Sequence, residues 1–308
     1  MFKAKRRLKR LKAKQETLEL TKKTVISAQL LQSALASREA GIGNTKPQEI
    51  AVSLTSFYKR IDNVHLTIES IFQQALRPDR IILWLSRDID ENNLPEILIK
   101  QQQRGLEIRF VERDLGPYGK FVHTLKQSPD SLIITVDDDI LYPHDMIDML
   151  YRSWVKEPDV IHCHRAHTIE FDKNGNLRPY KQWNKGGAGT SPSLLTFPTG
   201  VGGVLYFPGC FDEQILNEEL FMSICPKADD IWLKAMSLKK GVPCKRVEDY
   251  RNYGTRFLVV EDSQITALKR ANKSGPQSND VKFKAVWGYF DLWDKTKDSR
   301  AVESRRVP

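Results

Sequence analysis

The chain has 308 residues, with 48 Lys+Arg against 39 Asp+Glu for a formal net charge of +9, and 40% of its residues are hydrophobic. With 17 Gly and 15 Pro, this composition excludes a collagen-like, wholly disordered or disulfide-scaffold chain, and fits one large domain or two small ones sharing a core. Cys163, Cys210, Cys225 and Cys244 lie far apart without a CxxC pair, which offers no zinc ribbon and predicts reduced thiols in a cytoplasmic protein.

The charge is concentrated at the start. Residues 1–14 hold eight Lys/Arg and no acid, so +8 of the +9 sits there and the rest of the chain is nearly neutral. The most apolar stretch nearby, Thr24 to Ala36, is broken by Gln29, Gln32 and Ser33 and follows a long charged region, which argues against a cleaved secretory signal. No run nears the ~20 apolar residues of a membrane span. Leu8, Leu11, Val25, Ile26, Leu30, Leu31 and Leu35 fall at roughly helical spacing. Residues 1–46 therefore read as a basic amphipathic helical tail and linker, either lying on an anionic membrane or solvated. Nucleic acid is not an expected partner, because no aromatics interleave with these bases.

Gly41 to Pro47 is turn-rich, and the folded module is expected just after it. Ile50–Leu54, Arg80–Leu85, Leu106–Val111 and Leu132–Val136 read as short buried strands. Helical spacing over Asp62–Leu76, around Leu94–Gln103 and around Phe121–Lys126 separates them. Continuous apolar strands alternating with helices predict an α/β fold, a mostly parallel sheet covered on both faces, with ligands beyond the carboxyl ends of the strands. Val160–Ala166 alternates like a strand with one polar face, which places His162 and His164 together and makes a zinc site with Cys163 a poor fit. Asn174-Gly175 predicts a hairpin between Ala166–Asp172 and Leu177–Tyr180. Asp229–Lys239 reads as a helix stopped by Gly241 and Pro243, and the polar residues 295–308 as a disordered tail.

Asp137-Asp138-Asp139 is the sharpest feature. Three consecutive carboxylates at the end of a buried strand repel one another unless a cation or hydrogen-bond donors compensate. Alternation places Asp137 and Asp139 on one side and Asp138 on the other. Such a pair suits a hard divalent cation, Mg²⁺ or Mn²⁺, whose shell is completed by water and substrate phosphate. Gly116-Pro117-Tyr118-Gly119-Lys120, between strand and helix, offers amides and Lys120 to a nucleotide, or is a surface turn. Thr199 to Gly203 permits close backbone approach to a ligand through Gly202 and Gly203, or makes a tight turn. Trp183 and Trp232 read as core residues before sugar-stacking ones, and Asn279-Asp280 with Trp287, near the end, either close over the site or simply pack.

A strand running into Ser53-Leu54-Thr55-Ser56, then Arg60 and a helix, then a strand ending in D-x-D, then a later Asp229-Asp230 opening a helix, resembles nucleotide-sugar-dependent glycosyltransferases of the GT-A fold, family 2-like, over about residues 48–245. The resemblance implies a GT-A-like (Rossmann-like) fold with a nucleotide-sugar-binding half at 47–165 and an acceptor/catalytic half at 166–294. It implies that Thr55, Ser56, Arg60, Lys120, Asp137, Asp138, Gly202 and Gly203 line the nucleotide-sugar pocket, and that Asp139 with Asp137 holds Mn²⁺ or Mg²⁺. Asp230 aligns with the family's base, with Asp229 where many members have Glu. The implied activity is metal-assisted inverting transfer of a hexosyl group from a nucleotide-diphosphate sugar to a glycan or lipid-linked acceptor. By family analogy it would serve surface polysaccharide or lipopolysaccharide synthesis at the inner face of the plasma membrane. A sugar-nucleotide nucleotidyltransferase, or a non-catalytic membrane- or nucleic-acid-binding protein on a transferase-like fold, are the alternatives.

Overall fold

The computed structural model describes residues 2–260 and 278–304. In chain order the elements are α1 (Phe2–Ala36), β1 (Ile50–Thr55), α2 (Val64–Phe72), β2 (Arg80–Ser86), α3 (Glu96–Gln102), β3 (Leu106–Val111), α4 (Gly119–Gln127), β4 (Leu132–Thr135), β5 (Ile140–Leu141), α5 (Met146–Lys156) and β6 (Ile161–Cys163). They continue with β7 (Ala166–Thr168), β8 (Thr196–Pro198), β9 (Val204–Tyr206), α6 (Glu218–Ile224), α7 (Asp229–Lys240), β10 (Cys244–Arg246), α8 (Tyr253–Arg256), β11 (Leu258–Val259), α9 (Asn279–Tyr289) and α10 (Trp293–Ser304).

Seven strands form the central sheet in the order β10-β6-β9-β4-β1-β2-β3. All pairings are parallel except those of β9, which runs antiparallel to both β4 and β6. Alternation along each strand sends side chains into two layers. Ile50, Val52, Leu54, Leu132 and Ile134 pack with α2, α3 and α5, while Ile133, Val204 and Tyr206 pack with α4, α7 and α9. A sheet buried on both faces needs continuous apolar strands, and each fully buried Ile or Leu contributes about 1.5–3 kcal/mol.

The N-terminal segment is one continuous helix. Its second half docks: Leu30 packs with Leu141 and Val260, and Ser33 Oγ donates to Glu69 Oε1 at 2.7 Å. Glu69 is fully buried and takes a bidentate ion pair from Arg104, at 2.8 and 3.0 Å, which locks α1, α2 and α3 together. The first half projects from the body with its side chains exposed. Its leucines do not gather on one face: Leu11 and Leu20, nine residues apart, lie on opposite sides at about 100° per residue, and both are exposed. The amphipathic expectation is thus replaced by a basic helix with scattered apolar residues. Among the described residues no helix is long and apolar enough to cross a membrane.

Three further expectations are corrected. Val160–Ala166 is not one strand: β6 stays in the main sheet, and the chain then leaves it for β7, which pairs with β8. The histidines do not form a polar face either. His162 and His164 are buried, their rings hydrogen-bonded to the carbonyls of Glu157 and Met146, and burial pushes both down to about 4. The expected hairpin reduces to a single bridge between Phe171 and Leu177, because Asp172 Oδ1 accepts the amides of Asn174 and Asn176 and closes a local turn. Finally, of residues 295–308, expected to be disordered, those up to Ser304 belong to α10, anchored where Trp287 Nε1 donates to Thr296 Oγ1 at 3.0 Å, and 305–308 lie outside the described residues.

Candidate active site

The carboxyl ends of β1 and β4, neighbours in the sheet, deliver their loops to one edge. The acids arrive just past β4. Because the strand ends at Thr135, the alternation assumed for Asp137 to Asp139 does not hold: the three residues lie in a turn before β5. Arg60, in the loop after β1, reaches both Asp138 Oδ1 at 2.5 Å and Asp139 Oδ2 at 3.2 Å. Ser56 Oγ donates to Asp138 Oδ2 at 2.6 Å. Asp137 turns away to Lys120 Nζ, 2.7 Å from its Oδ1. The backbone of the turn is fixed as well. Asp137 N–H donates to Tyr142 Oη at 2.8 Å, and Val260 N–H to the Asp139 carbonyl at 2.8 Å.

Lys120 joins this turn to the second acidic pair. It enters at the first turn of α4, is buried, and also lies 3.1 Å from Asp229 Oδ2, within ion-pair reach but without hydrogen-bond geometry. Asp229 and Asp230 are the first two residues of α7, where the helix dipole favours negative charge. They are not caps: Ala228 holds that position and supplies no side-chain bond. The two acids differ. Asp229 is buried and faces Lys120, whereas Asp230 is partly exposed and accepts Gly200 N–H at Oδ1, 3.1 Å away. Burial, then the neighbouring Asp229 charge, pushes Asp230 up to about 8. Burial also raises Asp138, against the opposing pull of Arg60. Lys120 is held far above its usual range by Asp137, Asp229 and Asp230, which together outweigh its desolvation.

Ser56, Arg60, Lys120, Asp137, Asp138, Asp139, Asp229 and Asp230 therefore meet in one constellation. Thr55 stands at its rim, donating to the Trp84 carbonyl at 3.0 Å. Gly202 and Gly203 do not join it: Gly202 packs on Arg165 and His164, and Gly203, at φ +85°, lies against Met146. The glycine that meets the acids is Gly200. A Cβ there would sit 2.9 Å from Lys120 Nζ and 3.3 Å from Asp137 Oδ1, so a side chain at this position would push the lysine amine away from the acids. The loop read from the sequence does reach the acids, through Gly200 rather than Gly202 or Gly203, and Tyr142 was not among the residues named, because its hydroxyl can only be placed once the turn is known. Trp183, Trp232 and Trp287 are core residues, and Asp280 Oδ1 accepts the Tyr180 amide at 2.6 Å, tying α9 to the body.

Whether the residues suit a divalent cation follows from their chemistry. Among the described residues five carboxylates gather around Arg60 and Lys120, and the Asp137 side chain is 31% exposed while giving one oxygen to Lys120. Among the described residues no three His, Cys, Asp or Glu converge as a preformed cage. A Mg²⁺- or Mn²⁺-type ion needs only one or two protein carboxylates plus substrate phosphate, and hard oxygens at an anionic edge fit that demand.

In an open α/β sheet ligands bind beyond the carboxyl ends of the strands, which is the edge where these acids lie. The chain belongs to glycosyl transferase family 2, whose model matches residues 54–207. Its architecture is the GT-A-like, mostly parallel sheet with helices on both faces. No curated protein matches the chain in sequence. Among solved structures it is similar to S. aureus TarS 1–349 in complex with UDP (11% identity, 80% of this chain and 65% of that one, TM-score 0.48). It is also similar to the same TarS fragment in complex with UDP-GlcNAc (11%, 80% and 66%, 0.49) and to the mannosyltransferase PcManGT from Pyrobaculum calidifontis in complex with GDP-Man and Mn²⁺ (11%, 95% and 85%, 0.41). The chain thus spans about two-thirds of the TarS fragment it matches.

Proposed function

We propose that the protein transfers a hexosyl group from a nucleotide-diphosphate sugar to a glycan or lipid-linked acceptor by single displacement, inverting the anomeric centre. The observation that carries this reading is the division of labour in the second acidic pair: Asp229 is committed to Lys120, while Asp230 is partly exposed and held by a backbone amide. Displacement at an anomeric carbon needs a base for the acceptor hydroxyl, and a carboxylate whose proton affinity is raised toward neutral pH suits that task. Asp230 is accordingly the base and Asp229 a positioning residue for Lys120.

Residues 47–165 form the donor half and 166–294 the acceptor half in this reading. Ser56, Arg60 and Asp138 shape the nucleotide side, with Thr55 at the rim. Asp139 and Asp137 would hold Mn²⁺ or Mg²⁺. When bound, such an ion neutralises charge on the leaving diphosphate. Lys120, already positive and buried, adds a fixed charge beside Asp137. The basic half of α1 would meet an anionic membrane surface, at about 1 kcal/mol per Lys or Arg, which suits a peripheral enzyme of surface polysaccharide or lipopolysaccharide assembly at the inner face of the plasma membrane.

The test is turnover of UDP-, GDP- and CMP-linked sugars by Asp230→Asn and Asp229→Asn. Asp230→Asn should lower turnover by about 10²–10⁴-fold while nucleotide binding persists. Near-normal turnover in Asp230→Asn, with loss in Asp229→Asn, moves the base to Asp229.

A further inference from the structure

Lys234 is an unusual core residue. It sits in the middle of α7, it is 2% exposed, and its amine makes a weak contact with Cys244 Sγ at 3.6 Å. Among the described residues no carboxylate lies within ion-pair distance of it. A buried ammonium with a thiol for company is costly unless a counter-charge is near.

A small, half-open cavity supplies the link. It measures about 10 Å³ and is lined by Ile161, Pro198, Tyr206, Asp230, Leu233, Lys234, Ser237 and Cys244, with Asp230 its one carboxylate. That volume is close to the least that holds one water, and such a water needs two or more polar partners. Residues four apart on a helix share a face, so Asp230 and Lys234 stand one above the other on the cavity wall. Asp230 thus has two sides. Toward the site it accepts from Gly200, and behind it the cavity opens onto Lys234.

We propose that Lys234 is a positioning residue for Asp230, its ammonium joined to the Asp230 carboxylate through one water in this cavity. The proposal rests on the reading of Asp230 as the base, since what Lys234 would hold is the orientation and the charge of that carboxylate. The groups that face Asp230 from other elements are Lys120 on α4, Asp137 in the turn after β4, Tyr206 on β9 and Tyr180 before β8, with Asp229 beside it on α7. Lys120 neutralises the acids from the ligand side, and Lys234 is the cation on the opposite side.

The pairing is read on the whole protein without ligand, by ¹H–¹⁵N spectra of ¹⁵N-lysine-labelled chain at neutral pH, with the Lys234 signal assigned by its loss in Lys234→Met. The expected result is an ammonium signal protected from exchange with water, which shifts or loses protection in Asp230→Asn and stays put in Asp212→Asn. A neutral amine, or an ammonium indifferent to Asp230→Asn, overturns the pairing. Its role is read by kinetics on the same sugar-nucleotide panel. Lys234→Met should lower kcat by roughly 10-fold or more while KM for the donor changes less than about twofold, and Lys234→Arg should recover part of the loss. Equal kcat in Lys234→Met overturns the role. If Lys234→Met does not fold, Lys234→Arg supplies the assignment by loss of the same lysine signal and the Asp230→Asn spectra decide the pairing; for the role, a kcat lowered in Lys234→Arg with donor KM held supports it, and an unchanged kcat or a loss confined to KM overturns it. If the spectra show the pairing but Asp230→Asn keeps full turnover, the assignment of the base has failed and the pairing stands.

Discussion

Two buried charge clusters flank the same sheet and are built on opposite principles. At the seam of α1, α2 and α3, Glu69 meets Arg104 in a bidentate pair, with Ser33 and Gln101 satisfying the carboxylate further. In that cluster both Glu69 oxygens are hydrogen-bonded and the charge of Glu69 is matched by Arg104, which is what a buried ion pair requires to be tolerated. At the carboxyl edge, among the described residues, five carboxylates gather around Arg60 and Lys120, Asp230 is pushed up to about 8, and Asp229 Oδ2 has ion-pair proximity without a directed bond. Acids crowded so that burial and like charge raise their proton affinity mark a working site rather than a stabilising pair. The difference separates a cluster that holds the fold from one that awaits chemistry.

The largest effect expected is at the cation the second cluster depends on. Lys120→Met strands Asp137 and Asp229 and should cost about 3–5 kcal/mol in denaturant unfolding, with turnover lost as well. Glu69→Gln breaks the closed pair and should cost about 3 kcal/mol, yet leave kcat of the folded fraction unchanged. If Glu69→Gln abolishes turnover in folded protein, the division between the two clusters is wrong. Acid sharpens the contrast through a third group, the buried neutral histidines. The folded state of His164 is depressed to about 4 from an unfolded value of 6.5, so its contribution is complete above pH 6.5 and is lost as pH falls toward 4. That amounts to about 3 kcal/mol for His164 alone, measurable as a falling denaturation midpoint, and His164→Gln should flatten the slope. The smallest effect is expected from deleting residues 2–21, whose described side chains lie exposed. Unfolding should change by less than about 0.5 kcal/mol, and binding to anionic vesicles should fall with it.

Much of this fold was legible because its strands are buried on both faces. Arg80–Leu85 and Leu106–Val111 are unbroken apolar runs, and such runs have few alternatives. The second half was less legible for the opposite reason. Its strands are two or three residues long, and where His164-Arg165 leaves the main sheet depends on β8, some 30 residues later, which no local pattern encodes. The site divided in the same way. Asp137 to Asp139, Asp229 and Asp230 stood out as acids at element ends, and Lys120 as a base between strand and helix. That Gly200 rather than Gly202 meets the acids depends on how α7 seats against the loop after β8, a tertiary fact. The basic helix shows the limit of spacing: leucines at roughly helical intervals were present, but their angles put them on opposite sides.

The most direct measurement is a thermal-unfolding titration of the whole protein with UDP-, GDP- and CMP-linked sugars, with and without Mn²⁺, repeated on Asp139→Ala. One donor class should raise the midpoint in a concentration-dependent manner, by the stabilisation that mass action gives a ligand of the native state, and Mn²⁺ should strengthen it in the wild type but not in Asp139→Ala. No donor effect at any concentration would contradict the account, and a Mn²⁺ effect undiminished in Asp139→Ala would remove the ion from the acidic turn.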